Sequence, residues 1–366
     1  MTKIRSIPFS RFSSMLGVAF LGAMIFEVAC VENGTRLNES AKVESGKVLG
    51  IAFVSLQVDG LERSMAYYQA LGFSVVGESE PAWIRDDAAN RLYNTPGAMS
   101  RTATLRISST GSGQPFTLYL REYKDINRGS RSFFSARAPS SAHLGLMVPD
   151  ADTLWEQLQS QGQLRPLSWD GKLIRMPGQT SGGLAYVQDP DGFNVEIIDI
   201  NPGSADAGDT PAPLVDYPTL HHLGHVVMNS DRSKAFYGDL LGAEFPDKPA
   251  EWVSGDNYDA VVGGHGYVIR LINGTFPEAL APPQMMRFEL VEYQNPELEV
   301  VDDYRFSDIA VSCVGLQVAG IDALYAELEE AGVEIWSQGG IVAMRDGTRA
   351  VVVRDPDVGA FVELFE

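Results

Sequence analysis

Residues 189–200 read DPDGFNVEIIDI, and residues 355–366 read DPDVGAFVELFE. Each is an Asp-Pro-Asp turn that launches an alternating strand, and each strand carries a glutamate between apolar neighbours, Glu196 and Glu363. An acid inside such a strand is costly unless a cation, a proton or a hydrogen-bond donor compensates it. The fold therefore has to place a compensating group against each of these two glutamates.

The two stretches close longer repeats. The first unit has a strand at 51–58 and a helix at 61–72. Leu61, Met65, Tyr68 and Leu71 lie on one face of that helix, and Gly72 ends it. Strands are expected at 73–78, 102–108 and 116–123. The connection 79–101 holds Trp83 and Tyr93. The second unit has a strand at 143–148, a helix that Asp150 can cap with Leu154 and Leu158 inward, and strands at 173–176 and 184–189. The third begins with HLGHVVM (222–228) and a helix capped by Asn229 or Ser230, and its RFELVEY (287–293) matches FTLYLREY (116–123). The fourth has CVGLQV (313–318), which matches HLGLMV (143–148) position for position, then the helix 321–332 and AVVVRDPD (350–357). This order is βαβββ four times, an α+β chain whose modules fall into two pairs. One domain is expected over 48–200 and a second over 220–366. The Pro-, Gly-, Ala- and Asp-rich segment 201–219 reads as the linker.

The N-terminus reads as an export signal. Lys3, Arg5 and Arg11 precede an apolar run at 15–26, which is too short to span a bilayer comfortably. Glu27-Val28-Ala29-Cys30 resembles a bacterial lipobox, with Glu27 where an aliphatic residue belongs, so plain cleavage is the rival reading. Residues 1–30 are then the signal and 31–47 a polar tether. The location expected is the bacterial envelope, either periplasmic or held to the membrane through a lipid on Cys30. A formal net charge of -20 argues against nucleic acid or an anionic membrane surface as a partner. Two cysteines, Cys30 and Cys313, make no disulfide framework. No motif for a nucleotide, a flavin or haem is present.

Paired βαβββ modules, helices carrying AYY or AFY, and the DPDG closing strand resemble the vicinal oxygen chelate superfamily, over residues 48 to 366. That group includes glyoxalase I, extradiol dioxygenases and bleomycin-resistance proteins. The resemblance implies that each module pair curls into a cup that can hold a divalent metal, with ligands from the first and last strands of each module. Carried over by position, the first pair has Phe53, Tyr119, His143 and Glu196. The second has His222, Glu289, Cys313 and Glu363. The second set suits Zn, Mn, Ni, Co or Fe(II). Cys313 is either a thiolate ligand or a small buried apolar residue. His221 is expected to point away by alternation, and His225 offers another register.

The first cup reads as a degenerate site. Phe53, Tyr119, Trp83 and Tyr93 are candidates to line an apolar cleft, and His143 and Glu196 are free to bond each other. In VVGGHGYVIRL (261–271), His265 is a candidate proton-transfer residue and Tyr267 a binding residue; a surface hairpin is the plainer alternative. The resemblance implies three functions. The first is a metal-dependent lyase or isomerase in the C-terminal cup, with Glu289 or Glu363 moving a proton. The second is a metal-free protein that sequesters a small molecule. The third is an extradiol dioxygenase, which Cys313 disfavours because that chemistry wants two histidines and one carboxylate. The partner is a small molecule, and two cups in one chain remove the need for a dimer.

Overall fold

Strands form where the period-two pattern places them. The computed structural model describes residues 46–78, 80–110, 114–130, 136–175, 179–199, 216–246, 250–276, 280, 286–294 and 304–366. The expected signal, nearly all of the tether, and residues 201–215 of the linker lie outside them. Among the described residues no helix is long and apolar enough to cross a membrane.

Module 1 contains β1 (Lys47–Val58), α1 (Leu61–Ala70), β2 (Ser74–Val76), α2 (Asp87–Leu92), β3 (Met99–Ser109) and β4 (Pro115–Lys124). Module 2 contains β5 (Ala142–Met147), α3 (Ala151–Ser160), β6 (Gly183–Gln188) and β7 (Asn194–Asp199). Of its expected strand at 173–176, the described residues 173–175 show a bridge between Ile174 and Leu184, and Met176 lies outside them. Module 3 contains β8 (Thr219–Val227), α4 (Ser230–Lys234), β9 (Val253–Ser254), α5 (Asp256–Val262), β10 (Val268–Thr275) and β11 (Arg287–Tyr293). Its first helix continues as a π-helical segment over Ala235–Leu240. Module 4 contains β12 (Ser312–Ala319), α6 (Ile321–Glu330), β13 (Val342–Ala343), β14 (Arg349–Arg354) and β15 (Phe361–Phe365).

The pairing of modules differs from the expected one. β1 runs antiparallel to β12, with Phe53 opposite Gly315 and Ser55 opposite Cys313. β5 runs antiparallel to β8, with His143 opposite Gly224 and Gly145 opposite His222. Each of these central pairs is flanked by parallel neighbours, β4 and β15 in one case and β11 and β7 in the other. Among the described residues the strands form one continuous sheet, in which one half joins modules 1 and 4 and the other joins modules 2 and 3, and β3 links the halves by pairing with β8 at Ser108↔Thr219. The boundary expected between 48–200 and 220–366 does not divide the cups.

Glycine makes these central pairs fit. A Cβ on Gly145 would overlap the His222 ring, one on Gly224 would overlap His143, and one on Gly315 would overlap Phe53. Each ring lies across the bare backbone of the facing strand.

Sequence neighbours are joined instead by their Asp-Pro-Asp turns. Asp191 in module 2 accepts from the Ser64 hydroxyl at 2.8 Å and from Asp59 N at 3.2 Å, and pairs with Arg63. In module 4, Asp357 does the same at α4. It accepts from Met228 N at 2.8 Å and Asn229 N at 3.0 Å, with Arg232 at 3.4 Å. The turns thus hold modules 1 to 2 and 3 to 4 through helix starts, outside the cups. Asn229 caps α4 and Asp150 caps α3, as expected. The main core lies between the sheets and helices and draws on all four modules, with Tyr68, Phe116, Leu144, Leu223, Tyr237, Phe288 and Val314 among its residues.

Candidate metal centre

Alternation along the strands sends His143, Glu196, His222 and Glu289 into the cup of modules 2 and 3. The Nε2 atoms of His143 and His222 lie 2.9 Å apart. Glu196 Oε2 is 3.1 Å from His222 Nε2 and 3.8 Å from His143 Nε2. Glu289 Oε2 is 3.7 Å from His143 Nε2 and 3.8 Å from His222 Nε2. His143, His222 and Glu289 form a group that could hold a metal ion, with ligand atoms within 4.8 Å of one another. An ion bound at about 2.1 Å sets neighbouring donors about 3.0–3.4 Å apart, close to the spacing seen here. Two neutral-capable nitrogens and two carboxylates suit a borderline divalent ion.

The electrostatics agree with a site shaped for a cation. Burial, then the neighbouring His222 and His225, holds the His143 imidazole well below its ordinary pKa. Burial also lowers His222 and is its largest single influence, but Glu289 and Glu196 outweigh it and leave the ring above its ordinary value. Burial raises the Glu289 carboxyl, against the pull of His222. The Tyr186 hydroxyl stands 3.3 Å from His143 Nε2. Tyr267 lies edge-on to Tyr293 and 3.7 Å beneath the Arg137 guanidinium.

The expected ligand set is thus divided. His222 and Glu289 are here; Glu363 and Cys313 are not. They lie in the cup of modules 1 and 4 with Phe53 and Tyr119, whose rings meet edge-on at 5.0 Å. Conversely, His143 and Glu196, expected in the degenerate cup, join His222 and Glu289. The cause is the exchange of modules: the expected sets combine modules adjacent along the chain, while the central strands pair module 1 with 4 and module 2 with 3.

In the other cup, Cys313 is buried among Tyr93, Phe306, Val352 and Phe361. Burial, then Glu363, raises its thiol well above the ordinary value, which suits an inert apolar residue rather than a thiolate. Glu363 accepts from the Tyr93 hydroxyl at 3.1 Å. Burial raises its carboxyl, and the nearby Arg121 opposes that. The Arg121 guanidinium sits 4.1 Å from the centre of the Tyr93 ring. The chain thus supplies its own cation and hydroxyl donor where the cup of modules 2 and 3 presents a candidate ligand set. Tyr93 stacks on Phe306 at 4.4 Å and is 6% exposed, so it fills the interior rather than lining an open cleft.

Further expectations change as well. Trp83 is not with Phe53 and Tyr119: Arg101 and Lys124 lie over its ring at 4.9 and 4.4 Å. His265 is exposed, and its ring leans on Trp169 at 4.4 Å between two surface loops. His221 does not point away. The β5–β8 register steps from His222 to Leu220, which leaves His221 as a bulge, and its Nδ1 lies 2.9 Å from His222 Nδ1. His225 packs on Phe288 on the core side and offers no alternative ligand. Sequence reasoning also passed over Arg121 and Tyr186. Period two on β4 places Arg121 beside Tyr119, so its signal was present. The twin HLG at 143–145 and 222–224 marked the true pairing.

A model of the Glyoxalase/Bleomycin resistance protein/Dioxygenase superfamily matches residues 50–197 and 219–364. Lactoylglutathione lyase GLX1 of Arabidopsis thaliana is 24% identical over 225 residues, which cover 59% of this chain and 63% of that protein. The chain therefore spans less than two thirds of that relative's length. The crystal structure of glyoxalase I from Zea mays superposes with a TM-score of 0.51 at 20% identity, covering 88% of this chain and 92% of that one. With two matched stretches that cover most of its length, the chain belongs to the glyoxalase/bleomycin resistance protein/dioxygenase superfamily.

Proposed function

We propose that the protein is a divalent-metal-dependent lyase or isomerase that acts on a small oxygenated substrate in the cup of modules 2 and 3. The convergence of His143, Glu196, His222 and Glu289 carries this reading. These four residues would hold the ion, which when bound would polarise a substrate carbonyl or enolate oxygen. Burial leaves Glu289 ready to accept and keep a proton, so it is the residue proposed to move one between carbon and oxygen. The Tyr186 ring packs edge-on against the imidazole of His143 at 5.1 Å and orients it. Tyr267 and Tyr293 form an apolar wall that limits water. The Arabidopsis relative is named for a glutathione adduct; what is proposed for this chain is the proton transfer, not that thiol.

A ring-cleaving dioxygenase is the second reading. His143, His222 and Glu289 are two histidines and one carboxylate, which removes the objection that Cys313 raised. Sequestration without metal has less support, because Tyr93, Phe306 and Phe361 occupy the aromatic cup themselves. Export to the bacterial envelope remains part of the proposal and rests on the N-terminal sequence alone.

The test is proton exchange. The protein loaded with Zn, Mn, Ni, Co or Fe(II) is incubated in heavy water with enolisable α-hydroxycarbonyls and thiol adducts of α-ketoaldehydes. The proposal predicts deuterium at the carbon beside the carbonyl, and a Glu289→Gln variant slower by about 100-fold. Oxygen uptake with a catechol under Fe(II), without exchange under any metal, would establish the dioxygenase instead.

A further inference from the structure

His221 enters no ligand set, yet its ring meets a ligand. β8 carries a bulge where its register against β5 steps from Gly145↔His222 to Leu146↔Leu220. The bulge turns His221 to the same side as His222, against the alternation that a regular strand imposes. The two rings cross at 79° with centroids 5.2 Å apart, and their Nδ1 atoms are 2.9 Å apart. At that distance one nitrogen donates and the other accepts.

The other cup supplies a control. β1 steps from Ile51↔Leu316 to Phe53↔Gly315, so its bulged residue is Ala52, directly before Phe53. The same backbone device stands before the same module position in both cups. Only where the position is a histidine does the bulge carry a side chain that can bond to it.

We propose that His221 is a positioning residue for the metal centre, accepting the Nδ1 proton of His222 and so presenting the Nε2 lone pair of His222 to the ion. This rests on the proposed metal site. His222 Nε2 is the atom that faces His143 and Glu196. A ligand that binds through Nε2 must keep its proton on Nδ1, and a fixed acceptor for that proton selects the tautomer and the ring orientation. A carboxylate or a backbone carbonyl is the usual acceptor in such a place; here a second imidazole on a bulge takes it.

The experiment measures Co(II) affinity by chelator competition, together with the visible absorption of the bound ion. It uses the full-length protein, His221→Ala and His221→Asn. The amide oxygen of Asn can stand near the position of Nδ1 and accept the same proton. His221 is only half-buried, so both variants should keep the fold. The proposal predicts about tenfold or greater loss of affinity and an altered absorption band in the Ala variant, with most of both restored by Asn. Unchanged affinity and band in the Ala variant would overturn it, as would an Asn variant no better than Ala, which would make the effect one of packing. If the unaltered protein bound no Co(II), the metal centre itself would fail, an outcome distinct from these two.

Discussion

Asp189 and Asp355 occupy the same place in two turns, and burial is the largest cause that raises both carboxyls, to about 7 and about 6. Asp189 accepts from Asp191 N and Phe193 N, each at 2.8 Å, and from the Tyr68 hydroxyl at 3.1 Å. These bonds lower its pKa but do not match the cost of burying a charge beside Asp191. An unfolded aspartate titrates near about 3.9. A folded value above that means the contribution to stability is complete below about pH 4 and is lost as pH rises through about 7. The loss runs at roughly 1.4 kcal/mol for every pH unit between the unfolded and the folded value. Asn keeps the amide acceptor and can donate to Tyr68, but it has no proton to lose. Asp189→Asn should therefore flatten the fall in stability between about pH 4 and about pH 7. Urea melts at several pH values check it; parallel profiles for the two proteins would contradict the assignment.

Two equivalent strands show how one element sets apart a candidate metal site from a cup that carries its own cation. β11 sends Glu289, Val291 and Tyr293 to the inside of its cup, and β4 sends Tyr119, Arg121 and Tyr123 to the inside of the other. Arg121 is the cation that answers Glu363, as an ion would answer Glu196 and Glu289. Replacing Arg121 by Leu leaves a buried carboxylate uncompensated and should cost about 3 kcal/mol. Adding Glu363→Leu should restore much of that loss, since both charges are then gone. Thermal or urea unfolding of the single and double variants decides it, and additive losses would show that the two groups are independent. The strands themselves were legible from alternation, and α1, α3 and the turns from their caps and glycines. The bulge at His221 was not, because a bulge depends on the register with a partner strand far away in sequence. The same holds for Arg121, whose parity was readable but whose partner Glu363 arrives from module 4.

At the scale of the molecule, four modules and their order were plain in the sequence, as was the family. Which modules share a cup was not. Adjacency suggested 1 with 2 and 3 with 4, because linkers and turn chemistry are local. The fold uses local contacts for another purpose, in the Asp191 and Asp357 latches on helix starts, and builds the cups from pairs 1 with 4 and 2 with 3. The signal that survives in sequence is complementarity. A ring and a glycine two residues apart face a glycine and a ring, in HLG against HLG, and Phe53 faces Gly315. That exchange turns two mixed sets into one candidate ligand set, His143, Glu196, His222 and Glu289, and one self-satisfied cup around Glu363. The direct measurement is metal stoichiometry after reconstitution and desalting, in the unaltered protein, in His143→Ala and in Glu363→Gln. One equivalent per chain, lost in His143→Ala and kept in Glu363→Gln, is the result predicted. Metal kept in the first variant and lost in the second would place the site in the other cup and contradict the account.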